Sequence, residues 1–263
     1  MCLILFAYHI HPDYPLIVAA NRDEFYDRPS ASAHRWSDAP HVIAGRDLLK
    51  RGTWLGIADN GRFAGLTNYR DPLEQTQGKR SRGELVANFL TEEIALGTYM
   101  EQIHAHAYHY PGYNLLAGDR NELYYYSNIS RQRQRLEQGI YGISNHLLDT
   151  GWPKVERGKD GLRQLLQLPL AANSEQLGNA LFTLLQLADR PADELLPNTG
   201  VPLEWERVLS SIFIHSEASR YGTRCSTIVM MNEQHIHLRE RTYAPELADE
   251  QRFTIALQSQ NEV

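Results

Sequence analysis

The chain has 263 residues, 42% hydrophobic and 22% charged, an ordinary globular composition with ample material for a buried core. Its 26 Lys plus Arg against 32 Asp plus Glu give a formal charge of -6 and no basic footprint for nucleic acid. The apolar opening, residues 1–8, lacks a positive n-region and is too short for a signal peptide or a membrane span, and two cysteines are no disulfide framework.

With no linker, low-complexity tract or fixed-period repeat, residues 1–263 read as one cytoplasmic domain. Apolar runs rich in β-branched and aromatic residues predict strands over 2–9, 16–20, 54–58, 63–68, 113–117 and 123–126. Asn60-Gly61 predicts a type I′ hairpin between two of them, because Asn and Gly tolerate positive φ. Ser81-Arg82-Gly83-Glu84 has capping-box spacing ahead of Leu85, Val86, Phe89, Leu90 and Ile94, which predicts a helix over 82–96. Further helices are expected over 153–168, opened by Pro153, and over 174–187, where Leu177, Leu181, Leu184 and Leu185 form a core stripe. Strands return at 211–215, 225–231, 235–239 and 253–257, with a turn at 232–234. Strand groups at both ends with helices between predict an α+β fold, a four-layer α/β/β/α sandwich in which helices cover two packed sheets.

Cys2, directly after the initiator Met, is the most informative position. A small second residue lets Met1 be removed, which unites nucleophile and base in one residue: a free α-amine titrates near ~8 and a thiol near ~8.5. Taken alone, Cys2 also reads as a small buried apolar residue. Asn21-Arg22-Asp23-Glu24 follows the strand over 16–20, and strand ends commonly present site residues. Arg22 is a candidate to steady a thiolate or a substrate carboxylate, with Asp23 or Glu24 holding Arg22 or the α-ammonium. The alternative is a surface ion-pair cluster. Lys79, Arg80 and Arg82, like Arg131, Arg133 and Arg135, read as solvated. The histidine clusters lack the spacing of a zinc site, so no metal is expected. Trp36, Trp54, Tyr69 and Trp152 are candidates to line an acyl pocket.

Met1-Cys2, the tetrapeptide at 21–24, Gly45-Arg46-Asp47, residues 52–56 and 63–70, Ser81-Arg82-Gly83-Glu84, Tyr113-Asn114-Leu115-Leu116, residues 142–148 and Gly222-Thr223-Arg224 follow one another in a set that resembles the NRDE family, the transport and Golgi organisation protein 2 family, over nearly the whole chain. The resemblance implies a fold of the N-terminal-nucleophile hydrolase type. Three segments are similar to the bile-salt hydrolase and penicillin V acylase branch. Cys2 matches the nucleophile there, and Asn68 (in Gly65-Leu66-Thr67-Asn68-Tyr69) and Asn145 (after Ser144) match oxyanion-hole donors. That branch places Arg and Asp three apart, whereas Arg22 and Asp23 are adjacent, so either Arg22 is shifted or Asn21 and Glu24 fill those places. Arg224 resembles the branch's late strand arginine. The implied site is thus Cys2, Arg22, Asp23, Asn68 and Asn145, with Glu24, Trp54, Tyr69 and Arg224 toward a ligand. The resemblance implies a pocket for a hydrophobic small molecule, haem as cargo or an acyl ligand; the alternative is an amide or ester hydrolase using Cys2. No obligatory cofactor is expected, no Cys-Xaa-Xaa-Cys-His marks haem, and the oligomeric state stays open.

Overall fold

Every residue of strand β1 (Cys2–Tyr8) is buried. Ile4, Phe6 and Tyr8 enter one core and Leu3, Leu5 and Ala7 another, so the strand needs a layer on each face. The computed structural model, which describes residues 2–244 and 249–257, supplies both layers. Met1, whose removal the sequence predicts, lies outside the described residues. β1 pairs antiparallel with β2 (Leu16–Phe25). The chain then crosses to a seven-stranded antiparallel meander: β3 (Ser30–Arg35), β4 (Val42–Asp47), β5 (Leu55–Ala58), β6 (Phe63–Asn68), β7 (Tyr113–Gly118), β8 (Leu123–Ser127) and β9 (Arg133–Arg135). The first sheet is completed by β10 (Gly139–Ile143), β11 (His215–Ser216), β12 (Tyr221–Met231), β13 (His235–Thr242) and β14 (Glu250–Ala256), in the order β10-β1-β2-β12-β13-β14 with β11 against β12.

The two sheets share the central core, where Ile4, Phe6 and Val18 meet Ile57, Phe63 and Leu116. Outside the meander lie α1 (Gly83–Thr91) and α2 (Leu96–Ala105), anchored by Leu85, Phe89 and Met100. Outside the first sheet lie α3 (Pro153–Leu166) and α4 (Ser174–Leu185), anchored by Val155, Leu162, Leu177 and Phe182. A short α5 (Leu203–Val208) follows. Each such side chain, fully buried, contributes about 1.5–3 kcal/mol. The class is α+β and the layer order α/β/β/α, as the sequence predicts. Among the described residues no helix is long and apolar enough to cross a membrane.

Several elements differ from expectation, each for a local reason. The β5–β6 hairpin forms, but Gly61 N–H donates to Ala58 O at 3.0 Å and Gly61 (φ +90°), not Asn60, takes the left-handed region. The result is a type I turn closed by a glycine bulge rather than a type I′ turn. The helix expected over 82–96 breaks at Glu92, which is extended (φ -91°, ψ 140°), because the Arg62 guanidinium draws in the carbonyls of Phe89, Glu92 and Ile94. Nor does the capping box form. Arg82 stands at the N-cap in helical conformation with no side-chain cap, since Glu84 is taken by Arg80 at 2.6 Å. Of residues 211–215 only His215 is in a strand; Phe213 N–H goes instead to Leu187 O and Ile214 N–H to the Thr223 hydroxyl. β3 and β9 carry no apolar alternation for a sequence pattern to find, with β9 wholly exposed.

Candidate functional site

The strand over 16–20 runs on through Phe25, so Asn21 to Glu24 lie inside β2 and not after it. Alternation then divides the tetrapeptide between two faces. Arg22 and Glu24 share the inner face with Val18 and Ala20, toward the second sheet; Asn21 and Asp23 share the outer face with Ile17 and Ala19. Pairing sets Arg22 directly between Cys2 of β1 and Cys225 of β12, with Thr242 of β13 next in the row. All four residues line a cavity of about 750 Å³ between the sheets.

Cys2 is 8% exposed. Burial pushes its thiol up and the Asp23 carboxylate adds to this, while Arg22 and a hydrogen bond from the Asp23 N–H pull it back down. The Arg22 side chain is 13% exposed, and its nearest carboxylate is Glu24 at 4.0 Å. Among the described residues it makes no hydrogen bond. Cys225 is also a free, buried thiol, pushed well up by burial and by Glu240. Glu240 ties the sheets together: it accepts the Ala33 N–H at 2.6 Å and the Thr227 hydroxyl at 3.0 Å, and burial raises its carboxyl. Arg224 is the extra residue where the β2–β12 register slips between Thr223 and Cys225. This bulge re-aims its guanidinium onto the carbonyls of Phe25 and Tyr26, both at 3.2 Å, and of Arg28.

The facing wall comes from the second sheet and the start of α1: Thr53, Trp54, Leu66, Asn68, Ser81, Arg82 and Gly83. Gly52 makes this approach possible, because a Cβ there would sit 2.5 Å from the Gly83 carbonyl carbon. Thr53 N–H donates to Gly83 O at 3.1 Å and fastens helix start to loop. Asn145 is fully buried behind Asn68: its Nδ2 donates to the Asn68 carbonyl at 2.9 Å, and its own carbonyl accepts the Arg70 N–H. Ser144 donates to the Cys2 carbonyl at 3.2 Å.

On the outer face the polar groups are structural. Asn21 Nδ2 donates to Leu185 O and Ile212 O at 2.8 and 2.9 Å, and its Oδ1 accepts from Ser226 at 2.5 Å. Asp23 accepts from Thr223 at 2.7 Å; burial raises its carboxyl and Lys154 opposes that rise. Lys154 is buried, donates to Leu209 O at 2.9 Å, and is lowered to about 8 by burial against the pull of Asp23. Arg70 and Glu206 pair at 2.8 Å with side chains 5% and 4% exposed.

Residues 1–245 match the family described as Transport and Golgi organisation 2. The chain belongs to that family. The Bos taurus Transport and Golgi organization protein 2 homolog is 34% identical over 261 residues, covering 92% of this chain and 93% of its own. The Homo sapiens homolog is 33% identical over 258 residues, with the same two shares. Drosophila melanogaster Transport and Golgi organization protein 2 is 31% identical over 267 residues, covering 92% of each. Among solved structures, a Caenorhabditis elegans N-acylethanolamine-hydrolyzing acid amidase ortholog superposes with TM-score 0.49 at 11% identity, over 86% of this chain and 92% of that one. A conjugated bile acid hydrolase from Clostridium perfringens gives 0.45 at 9% identity, over 99% and 98%.

Of the family's expected site residues, Cys2, Arg22, Asp23, Glu24, Trp54, Asn68 and Arg224 line the cavity, and Asn145 stands one hydrogen bond behind it. Three of the four aromatic candidates are elsewhere. Trp36 is buried beneath the Arg46 guanidinium at 3.7 Å, Tyr69 lies against His146, and His146 against Trp152. Sequence reasoning missed Arg82, Glu240 and Lys154; Arg82 and Lys154 are charged residues in polar stretches, which carry no mark of burial. Glu240 and Arg22 carried a usable signal, a lone charge at an inward position of a strand. Among the described residues no group of three or more His, Cys, Asp or Glu is arranged to hold a metal ion.

Proposed function

We propose that the chain handles acyl compounds between its sheets, and that Cys2, its α-amine freed by removal of Met1, is a thiol nucleophile toward an amide, ester or thioester carbonyl. The observation that carries this reading is the row Cys2, Arg22, Cys225 and Thr242 along one side of the 750 Å³ cavity. The sulfur–carbon bond forms as the α-amine takes the thiol proton. The amine returns that proton to the leaving group, and water then releases the acid from the thioester. Arg22 favours the thiolate. Asn68, which lines the cavity, is the donor for the oxyanion, worth roughly 3 kcal/mol of barrier, and Asn145 positions it through the bond to its carbonyl. A reducing cytoplasm, which keeps both thiols free, suits this chemistry. The test is a screen of acyl-amide and acyl-thioester substrates with wild type and Cys2→Ser side by side. Turnover by wild type that Cys2→Ser loses supports the reading; turnover that survives in Cys2→Ser sinks it.

A second reading, a carrier for haem or another hydrophobic cargo, is favoured by two features. Burial pushes the Cys2 thiol up, which weakens it as a nucleophile, and one Asn145 amide N–H is given to a backbone carbonyl. Haem titration of the same sample separates the two. A saturable, stoichiometric Soret shift without turnover supports the carrier, and turnover without saturable haem binding removes it.

A further inference from the structure

Arg82 stands outside the expected site, in a stretch that reads as solvated, yet it turns inward. Its side chain is 20% exposed, with one Nη at 3.3 Å from Glu74. Its Nε is buried with no acceptor among the described residues, and its guanidinium is charge-coupled to Cys2 and Glu24. The other cavity arginines differ from it. Arg28 is committed to Asp47 at 2.6 Å, Arg46 to both oxygens of Asp38 at 3.0 Å, and Arg224 to backbone carbonyls. Arg46 Nε is likewise without an acceptor among the described residues, but both its Nη atoms are held by Asp38. Arg22, which makes no hydrogen bond among the described residues, and Arg82, whose Nε has no acceptor there, stand one on each wall.

Buried donors without acceptors are costly. Arg82 Nε is such a donor, and across the cavity Arg22 stands beside the Cys2 thiol with only a loose pair to Glu24; both are explained by an acceptor that arrives with the ligand. We propose that the ligand carries an anionic group, a carboxylate or a phosphoryl group, seated between Arg82 and Arg22 next to the carbonyl that Cys2 attacks; this rests on the reading of Cys2 as a nucleophile. The guanidinium fork matches both groups in shape. The same wall holds Ser81 and Gly83, at the start of a helix that has no side-chain cap, so the positive end of α1 adds to the attraction. The capping box that failed to form is a local rule broken where a ligand would take the cap's place.

Iodoacetate and iodoacetamide are thiol probes of similar size and opposite suitability, one anionic and one neutral. On the Met1-free chain, the Cys2 labelling rate with each is read by peptide mass spectrometry, which counts Cys225 separately, and is divided by the rate with free cysteine. The corrected ratio is expected to favour iodoacetate by about tenfold, the low end of what a charged cleft does for a counter-ion. Arg82→Gln should lower the ratio several-fold, because iodoacetate loses more than iodoacetamide, and Arg82→Lys should restore part of it. An unchanged ratio in Arg82→Gln, with Cys2 still reactive, overturns the anion seat and leaves the nucleophile standing. A Cys2 inert to both reagents overturns the nucleophile and the seat with it. Should Arg82→Gln fail to fold, competition on wild type decides: protection by inorganic phosphate identifies a phosphoryl group, protection by acetate a carboxylate, and protection by neither overturns the proposal.

Discussion

On the outer face of β2 the Asn21 amide has a partner for each of its polar atoms, whereas one residue along, on the inner face, the Arg22 guanidinium meets no carboxylate nearer than Glu24 at 4.0 Å. The two neighbours in sequence work for different layers. Asn21, Asp23, Lys154, Arg70 and Glu206 are buried polar groups held by protein partners under the helices, although Arg70 Nε has no acceptor among the described residues; Arg22, Glu24 and Cys2 border an open cavity. Paired buried groups fix the fold, whereas a guanidinium that faces a cavity can take its acceptor from a ligand.

Stability measurements sharpen or break that contrast. The largest effect is expected from Arg70→Met, which strands Glu206 without its counter-ion and should cost about 3–5 kcal/mol in denaturant unfolding. Asn21→Ala leaves the Ser226 hydroxyl and the carbonyls of Leu185 and Ile212 without their partner, and should cost about 2–3 kcal/mol. A loss under about 1 kcal/mol for either variant would place the outer face among ordinary surface polars.

Lys154 gives a pH signature. It is held at about 8 in the fold against an ordinary 10.5, so between those values the unfolded chain binds more protons. Its contribution to stability therefore rises as pH goes from about 8 towards 10.5 and is flat below that window. Asp23, Arg70, Cys2 and Glu206 face the same ammonium, and the raised Cys2 thiol acts in the opposite sense. The comparison is thus wild type against Lys154→Met, in which the alkaline rise of the denaturant midpoint should disappear. The smallest effect belongs to the inner face. Arg22→Ala should change stability by under about 1 kcal/mol, since its nearest partner is a loose pair, and yet slow Cys2 labelling by iodoacetamide. A large loss of stability with labelling unchanged would reverse the contrast.

The layer order was legible because apolar periodicity states it: Leu3, Leu5 and Ala7 against Ile4, Phe6 and Tyr8 demand two cores. The motif residues around Cys2 were legible only through family resemblance, as nothing in Asn68 or Asn145 alone separates a donor from a turn residue. What stayed hidden depends on contacts distant in sequence. Arg62 breaks a continuous helical pattern from a hairpin away, and Arg80 takes the glutamate that would have closed the cap. Lys154 sits in a first helical turn after Pro153, where a lysine reads as solvent-facing, and only the assembled layers bury it.

The Arg224 bulge has a mechanical side. Its guanidinium gathers the carbonyls of Phe25, Tyr26 and Arg28, the segment by which the chain leaves one sheet for the other. A second fastening stands nearby, where Glu240 reaches from Thr227 to Ala33. Two rivets on one edge keep the sheets from parting around Cys2. Those bonds are made within the chain itself, so under the proposed reading a ligand would be chosen by its fit to a chamber of preset width, as by a gauge, and not by the chain folding around it.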